Sequence, residues 1–178
     1  MKKLLRAVAE RRLPTILNFI RAVRNRRRFR KQFGQLQRDV RCALYNSQAP
    51  ITVQTGPFKG MKYLDEIVWG SITPKWLGSY ESELQSVIDS ISRHNYSRII
   101  DVGCAEGYYA VGLAKICEKT SVFAYDTDYL SRRQAKKLAK LNNVEDRVQV
   151  GNFCDHSDLD AISNDNTLVV CDIEGFET

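Results

Sequence analysis

The sequence predicts an α/β domain built on a doubly wound parallel sheet, preceded by a basic helical arm. Three observations carry this prediction. Short apolar strands alternate with helical segments from residue 97 onwards, a turn with two glycines joins the first strand to its helix, and the positive charge is concentrated before residue 42. Alternation of this kind requires right-handed crossovers, which place helices on both faces of a parallel sheet.

Charge divides the chain into two unequal parts. Of the 27 Lys and Arg residues, 14 lie in residues 1–41 beside two acids, Glu10 and Asp39, whereas the rest carries 13 basic and 19 acidic residues. Phosphate binding needs cations on the binding face, so nucleic acid is not expected as a partner of the acidic part. The high isoelectric point therefore belongs to the arm.

Residues 1–45, the basic arm, are predicted to be helical in one or two pieces, with Pro14 starting a new helix. Two apolar sets recur at helical spacing: Leu4, Leu5 and Val8, then Ile16, Leu17, Ile20 and Val23. Residues 1–31 suit peripheral contact with an anionic membrane, and packing of the apolar stripe on the domain or a second subunit is an equal alternative. Nucleic-acid binding by the arm ranks third because few aromatic residues are interleaved with its charges.

Cysteine usage and hydropathy predict a cytoplasmic protein with reduced thiols. The five cysteines are odd in number, form no Cys-x-x-Cys pair and do not lie at zinc-binding spacing from a histidine. We expect most of them to act as small apolar fillers of strands and helices. Charged residues interrupt the N-terminal apolar run before it reaches the length of a signal sequence, and no stretch approaches the length of a membrane span.

Residues 46–96 form a lead-in segment between the arm and the sheet. Glycine, proline and aromatic residues are interspersed up to Tyr80, which predicts short strands and turns, including one at Gly56-Pro57. Apolar residues at helical spacing then predict a helix over residues 81–93. Tyr80 or Glu81 is a candidate to close over a ligand site, and a turn with the first helical residues explains both equally well.

Residues 97–178 supply the predicted sheet. The apolar runs predict four strands, at Arg98–Val102, Ser121–Tyr125, residues 147–150 and Thr167–Cys171. Helices are predicted at Tyr108–Ile116, at residues 131–141 and, as at most a short piece, at residues 158–162. Ser131 is the predicted cap of the second of these helices.

The strongest chemical signal is the turn between the first strand and its helix. It reads Asp101-Val102-Gly103-Cys104-Ala105-Glu106-Gly107. Open parallel sheets bind ligands outside the carboxyl ends of their strands. We expect Gly103 to allow a sharp turn and Gly107 to let a ligand approach the helix N-terminus, whose free N–H groups favour an anionic group such as a carboxylate. A nicotinamide dinucleotide fingerprint fails here, because its second and third glycines are replaced by Ala105 and Tyr108.

A second signal is Asp126, which ends the second strand 19 residues after Gly107. An acidic side chain at this place can accept hydrogen bonds from both ribose hydroxyls of a nucleotide. An ordinary aspartate at a strand end is the competing explanation. The spacing from the glycine turn favours the ligand role.

Together, Asp101-x-Gly103-x-x-x-Gly107 and Asp126 resemble the first two motifs of class I S-adenosylmethionine-dependent methyltransferases, over roughly residues 80–178. The resemblance implies a Rossmann-like domain at residues 97–178 with S-adenosylmethionine as cofactor. It also implies a role for each site residue. The methionine part of the cofactor would lie on Gly103, Cys104, Ala105 and Gly107 above Asp101, the ribose on Asp126, and the adenine near Asn152, where the family often has an aspartate.

The end of the fourth strand, Asp172-Ile173-Glu174-Gly175-Phe176-Glu177, resembles the FkbM-type methyltransferases, a group associated mainly with O-methylation. It does not resemble the N/D-P-P-Y motif of enzymes that methylate amide or base nitrogens. The resemblance implies that Asp172 and Glu174 are catalytic, as general base for a hydroxyl or as ligands of a divalent cation; no metal site is itself predicted. The competing explanation is that one carboxylate caps a following helix.

A complete class I fold has seven strands, and this sequence reaches only the fourth. We therefore expect a fragment in which the cofactor residues are largely present and the acceptor site is incomplete. The leading functional hypothesis is methylation of an oxygen of a small molecule, sugar or glycolipid. The alternative is a non-catalytic module that keeps the nucleotide pocket and binds a membrane or partner through its arm. The sequence predicts no oligomeric state.

Overall fold

The computed structural model describes residues 14–45, 50–65, 67–162 and 166–173. Four parallel strands form one sheet in the order β3-β2-β1-β4. Their bounds are β1 Arg98–Val102, β2 Ser121–Tyr125, β3 Val148–Gly151 and β4 Thr167–Cys171. The chain moves outward from β1 to β3 and then returns to the other side of β1. The predicted parallel α/β fold is confirmed, with its strand-order reversal between β1 and β4.

Six α-helices accompany the sheet in the described residues. They are α1 Pro14–Leu44, α2 Thr73–Leu77, α3 Gln85–Arg93, α4 Tyr108–Ile116, α5 Tyr129–Leu141 and α6 His156–Ile162, with a 3₁₀ turn at Ser82–Leu84 before α3. The predicted start of a helix at Pro14 is confirmed, since proline suits the first helical turn. The predicted apolar set at Leu4, Leu5 and Val8 lies outside the described residues.

Several local predictions need correction. The helix predicted at residues 81–93 begins at Gln85 as α3, after the 3₁₀ turn, and β3 lies one residue later than predicted. Helix α5 begins at Tyr129, and its cap is Asp128 rather than Ser131, because the Asp128 side chain accepts the N–H of Ser131 at 2.8 Å. Among its described residues, the lead-in segment has one antiparallel bridge, between Thr52 and Lys62, where short strands were expected. Helix α6 begins at His156, two residues earlier than predicted.

The hydrophobic core joins the sheet to the lead-in segment. Ile99 and Ile100 of β1 are fully buried, and apolar residues of α4 and α5 pack against the same sheet. Trp76 and Met61 of the lead-in segment are also fully buried in this core. A Cβ at Gly112 of α4 would lie 2.6 Å from the Phe58 ring, so the lead-in segment packs directly on that helix.

The cysteines divide between core and surface. All five are free; Cys104 and Cys117 are buried, Cys154 is half-buried, and Cys42 and Cys171 are exposed. The prediction that most are apolar fillers therefore holds for two of the five. In Cys104, burial raises the pKa of the thiol far above its usual value, which makes it an inert apolar filler.

The C-terminal end of α1 contacts the lead-in segment. Arg41 Nε lies 2.7 Å from Asp65 Oδ1, and Gln37 donates to the Asp65 carbonyl at 3.1 Å. Val40 and Leu44 pack against the core, whereas Ile20 nearer the start of the helix is exposed. Within the described parts of the chain, no helix is both long enough and apolar enough to cross a membrane.

Candidate functional site

The predicted site residues converge at the carboxyl edge of the sheet. The glycine loop, residues 103–107, follows β1; Asp126 follows β2, Asn152 follows β3 and Asp172 follows β4. Because β1 pairs in parallel with both β2 and β4, the ends of these strands lie side by side. Ligands of open α/β sheets bind at this place in the topology.

Gly103 is required by the backbone geometry of the loop. Its φ is 87°, and a Cβ built on it would lie 1.9 Å from the carbonyl oxygen of Asp172. Its N–H and that of Cys104 donate to the carbonyl of Tyr125 at 2.8 and 2.9 Å. The chain thus turns sharply beside the end of β2 and passes against the end of β4. No side chain fits at residue 103 for this reason.

Gly107 lies at the start of α4, close to α5. Its φ is 91°, and a Cβ here would lie 3.2 Å from both Cα and Cβ of Ala135 in α5. The missing side chain therefore allows α4 and α5 to pack closely. Ala105 between the two glycines has φ 47°, a left-handed conformation that L-residues other than Asn and Asp rarely adopt.

Asp126 holds the glycine loop in place. Its Oδ2 accepts the N–H of Ala105 at 2.8 Å, and its Oδ1 accepts the N–H of Asp128 at 2.7 Å. Burial raises the pKa of this carboxyl, and the two backbone N–H groups oppose that effect. A carboxylate offers about four acceptor positions, so each oxygen retains capacity for a ligand hydroxyl.

Asp101 is a buried carboxylate at the base of the loop. It is only 2% exposed, and its Oδ2 has no hydrogen-bond partner among the described residues. Burial, together with the negative charges of Asp126 and Asp172, raises its pKa to about 7. A cationic ligand group above the loop would compensate this charge, so the donor set fits a ligand that carries a positive centre.

Asn152 is exposed at the end of β3 and is oriented by Arg132, which the sequence did not single out. Arg132 donates to Asn152 Oδ1 at 2.8 Å and to the carbonyl of Asp126 at 2.7 Å. One guanidinium thus joins the loops after β2 and β3. Phe153, the next residue, is 65% exposed, so its ring is open to solvent.

Asp172 stands exposed at the end of β4, with its N–H bonded to the carbonyl of Val102 at 2.9 Å. Glu174, the second predicted catalytic residue, lies outside the described residues. The described side chains include no group of three His, Cys, Asp or Glu residues arranged to hold a metal ion. Of the two catalytic candidates, the structure therefore places one, at the same edge as the glycine loop.

A buried charged cluster beside the glycine loop escaped sequence analysis. Glu106, 1% exposed, accepts at Oε1 from Lys75 Nζ and from the Tyr63 hydroxyl, both at 2.5 Å. Lys75 is 5% exposed and lies 4.6 Å from the centre of the Tyr80 ring. The available signal was a glutamate within an otherwise small and apolar loop; nothing in the sequence marked Lys75 as its partner.

Tyr80 and Glu81 lie against the start of α4. The Tyr109 hydroxyl donates to Glu81 Oε2, and the Tyr80 ring lies 5.3 Å from that of Tyr108 in an edge-on contact. Glu81 has φ 45°, so its backbone is held in a left-handed conformation. Burial and the charges of Glu81 and Asp172 raise the pKa of Tyr80. These contacts hold the segment on the first turn of α4, which follows the glycine loop.

Comparison with known families gives one match that covers more than half of the chain. Residues 83–174 match the family model described as "Ribosomal protein L11 methyltransferase (PrmA)". The matched region contains the glycine loop, Asp126, Asn152 and Asp172. No curated protein matches the sequence.

Solved structures with similar strand and helix arrangements include two methyltransferases. One is a SAM-dependent methyltransferase from Geobacter sulfurreducens in complex with S-adenosyl-L-homocysteine, with 20% identity over 51% of this chain and 35% of that chain, at a TM-score of 0.39. The other is an O-methyltransferase from Bacillus cereus in complex with SAH, with 17% identity over 52% of this chain and 45% of that chain, at a TM-score of 0.42. The chain spans less than half the length of these proteins.

Proposed function

Since the chain belongs to the family described as ribosomal protein L11 methyltransferase (PrmA), a family of class I S-adenosylmethionine-dependent methyltransferases, we propose that its glycine loop binds S-adenosylmethionine for methyl transfer. The proposal rests chiefly on one observation. Asp101 presents a buried oxygen without a partner beneath the loop, among the described residues, and the proposed ligand carries positive charge on both its sulfonium and its amino group. We propose residues 97–178 as the cofactor-binding domain.

The other residues of the site have roles that follow from their chemistry. Gly103, Cys104, Ala105 and Gly107 form the backbone surface for the methionine part. Asp126 keeps acceptor capacity on both carboxylate oxygens, which suits the two ribose hydroxyls. Asn152, oriented by Arg132, offers an amide to the adenine edge, and the exposed Phe153 ring offers a face for its plane.

S-adenosylmethionine supplies a methyl group already activated as a sulfonium. The protein's task is then to hold an acceptor atom in line and to remove its proton. Asp172 is the proposed general base: its side chain is exposed at the end of β4, where the chain leaves the sheet beside Gly103. The hydroxyl proton of the acceptor passes to the Asp172 carboxylate, and Glu174 is proposed to assist from the same segment.

The proposed acceptor is an oxygen of a small molecule, a sugar or a glycolipid. The Asp-x-Glu-Gly-x-Glu pattern at residues 172–177 supports oxygen, and the absence of the Pro-Pro-Tyr signature from that sequence favours oxygen over an amide nitrogen. The FkbM-like subtype remains a prediction. The alternative is a cofactor-binding module without catalysis, which the solvent-exposed basic face of α1 would connect to a partner or an anionic membrane.

Calorimetric titration with S-adenosylmethionine tests the binding proposal. We expect Asp126→Ala to weaken binding at least about tenfold, because it removes both the ribose acceptor and the anchor of Ala105. Asp155→Ala is a matched control: Asp155 likewise accepts a backbone N–H, from Asp158 at 2.9 Å, but lies in the exposed turn before α6. A folded wild-type protein that takes up no cofactor would overturn the proposal.

Catalysis needs a separate test, because the chain spans less than half the length of the two structures described above. Methyl transfer from radiolabelled S-adenosylmethionine to hydroxyl and amine acceptors would separate the two acceptor classes. We expect Asp172→Asn to bind the cofactor as the wild type does and to lose transfer to a hydroxyl. Binding without transfer to any acceptor would favour the non-catalytic module.

A further inference from the structure

Glu106 is the one residue of the glycine loop whose side chain contacts the lead-in segment through a buried ion pair. Its Oε1 accepts hydrogen bonds from Lys75 Nζ and from the Tyr63 hydroxyl, each at 2.5 Å. The side chains of Lys75 and Glu106 are 7% and 1% exposed. These contacts join residues 31 and 43 positions apart in the sequence. The loop is therefore connected to a distant segment through its side chain, and not only through strand packing.

Stability alone does not account for this pair. Burying two charges carries a large desolvation cost, and apolar residues of similar volume in their place are often neutral or stabilising. The pairing is also incomplete, because both donors meet Oε1 while Oε2 is buried without a partner among the described residues. A carboxylate kept in this arrangement suggests a role in the loop rather than a contribution to folding.

The position of Glu106 in the loop indicates that role. The preceding residue, Ala105, donates its N–H to Asp126 at 2.8 Å and has the left-handed φ of 47°. The following residue, Gly107, is the N-cap of α4 and has φ 91°. This strained stretch of backbone is thus held on one side by Asp126, the residue proposed to bind the ribose, and on the other by Lys75. The Lys75–Glu106 pair therefore constrains the surface on which the methionine part of the cofactor would lie.

Lys75 extends the connection to Tyr80, whose ring packs on that of Tyr108 at the start of α4. It belongs to α2, whose Pro74 carbonyl accepts the N–H groups of Gly78, Ser79 and Tyr80 at 2.9, 2.9 and 3.2 Å. Its ammonium also lies 4.6 Å from the Tyr80 ring centre, a distance at which cation–π attraction operates. Lys75 therefore connects the end of α2 and Tyr80 to the glycine loop.

We propose that Lys75 and Glu106 are a positioning pair, which fixes the glycine loop for the cofactor and couples cofactor binding to the segment of residues 73–81. This inference rests on the proposed function, since it assumes that the loop is the cofactor surface. Neither side chain needs to contact the cofactor. Their effect passes through the backbone of residues 105–107 on one side and through Tyr80 on the other.

Hydrogen exchange on the wild-type protein is the first test, with S-adenosylhomocysteine as the probe. We expect the probe to slow amide exchange both at residues 101–107 and at residues 73–81. Protection of the loop alone would overturn the coupling. This measurement needs no variant, so a poorly folding mutant cannot leave the inference undecided.

The double variant Lys75→Met with Glu106→Gln separates positioning from folding, because it removes both charges at similar volume. We expect an unfolding midpoint near that of the wild type, an affinity for S-adenosylhomocysteine about tenfold weaker, and no probe-induced protection of residues 73–81. Arg41→Met is the matched control, since it removes the ion pair of Arg41 with Asp65, which does not reach the loop; its affinity should equal that of the wild type. Wild-type affinity and protection in the double variant would overturn the inference.

The two proposals fail in different ways. If the folded wild type shows no heat of binding with S-adenosylhomocysteine, the proposed function is wrong and the positioning role falls with it. If the wild type binds and the double variant binds equally well, only the positioning role is wrong.

Discussion

The glycine loop and the lead-in segment contact each other, yet they differ in how far the sequence specifies their roles. Gly103, Ala105 and Asp126 act through backbone geometry and strand ends, which recur at fixed spacing in parallel sheets. Lys75, Tyr63 and Tyr80 act through side-chain contacts with partners that no local pattern specifies. The difference teaches that a motif can point to a proposed cofactor surface, while the groups that hold that surface in place come from a distant stretch of the chain.

The largest expected effect tests the backbone side of this comparison. Gly103→Ala would put a Cβ 1.9 Å from the Asp172 carbonyl, between two paired strands that cannot separate without breaking the sheet. We expect a loss of more than about 4 kcal/mol in the free energy of unfolding, measured by urea denaturation. Gly60→Ala is the control: its φ is 82°, but nothing lies within 4 Å of the added Cβ, so only about 1–2 kcal/mol of backbone strain is expected. Equal losses in the two variants would contradict the steric explanation.

The sheet and the motif were predictable for the same physical reason. Buried strands of a parallel sheet are short apolar runs, so β1, β2 and β4 agree with their predicted bounds and β3 is displaced by one residue. The spacing from the loop to Asp126 is set by one helix and one strand. Gly107 shows the limit: the group that its missing side chain accommodates, Ala135, belongs to a helix whose packing the sequence does not specify.

The lead-in segment could not be predicted to the same extent. Its glycines and prolines predicted turns and short strands up to Tyr80, whereas the described residues of that stretch form one bridge and a five-residue helix. Trp76 and Met61 are buried through tertiary packing on the sheet domain rather than through any periodic pattern. The partner of Glu106 follows from that packing, which explains why the charged cluster had no signature.

The second prediction concerns the stability of this cluster. Lys75→Met alone leaves Glu106 buried without its cation, and we expect a loss of about 3–5 kcal/mol in chemical denaturation. Adding Glu106→Gln should restore most of that loss, because the amide carries no charge to desolvate. A double variant as unstable as the single one would show that the pair is needed for folding itself. The ion pair would then stabilise the fold, contrary to the conclusion that the lead-in segment only positions the glycine loop.

The third prediction uses the buried carboxylate beneath the loop. Asp101 has its pKa raised from 3.8 to about 7, so the folded state holds this proton more tightly than the unfolded state does. Its contribution to stability is therefore complete below about pH 4 and is lost as the pH rises through about 7, by at most about 4 kcal/mol. Thermal unfolding across this range should show the decline in the wild type and a flatter profile in Asp101→Asn.

Asp155 is the control for this pH experiment, because its pKa is shifted in the opposite direction to that of Asp101. Its carboxyl is exposed, and hydrogen bonds from Ser157 and Asp158 lower its pKa. Asp155→Asn should therefore leave the decline between about pH 4 and about pH 7 unchanged. A decline that persists in Asp101→Asn would assign it to another group, such as Asp126, whose pKa is also raised by burial.

The smallest effect distinguishes two residues at the start of α5, where local sequence reasoning chose the wrong one. Asp128→Ala removes the side chain that accepts the Ser131 N–H, and we expect a loss of about 1 kcal/mol in thermal or chemical unfolding. Ser131→Ala should be neutral or slightly stabilising, because the Ser131 hydroxyl is buried and its oxygen has no partner among the described residues. The reverse order would make Ser131 the cap after all. The position of a helix cap thus depends on where the preceding strand ends. Asp128 follows β2 closely enough for its N–H to donate to the Asp126 carboxylate.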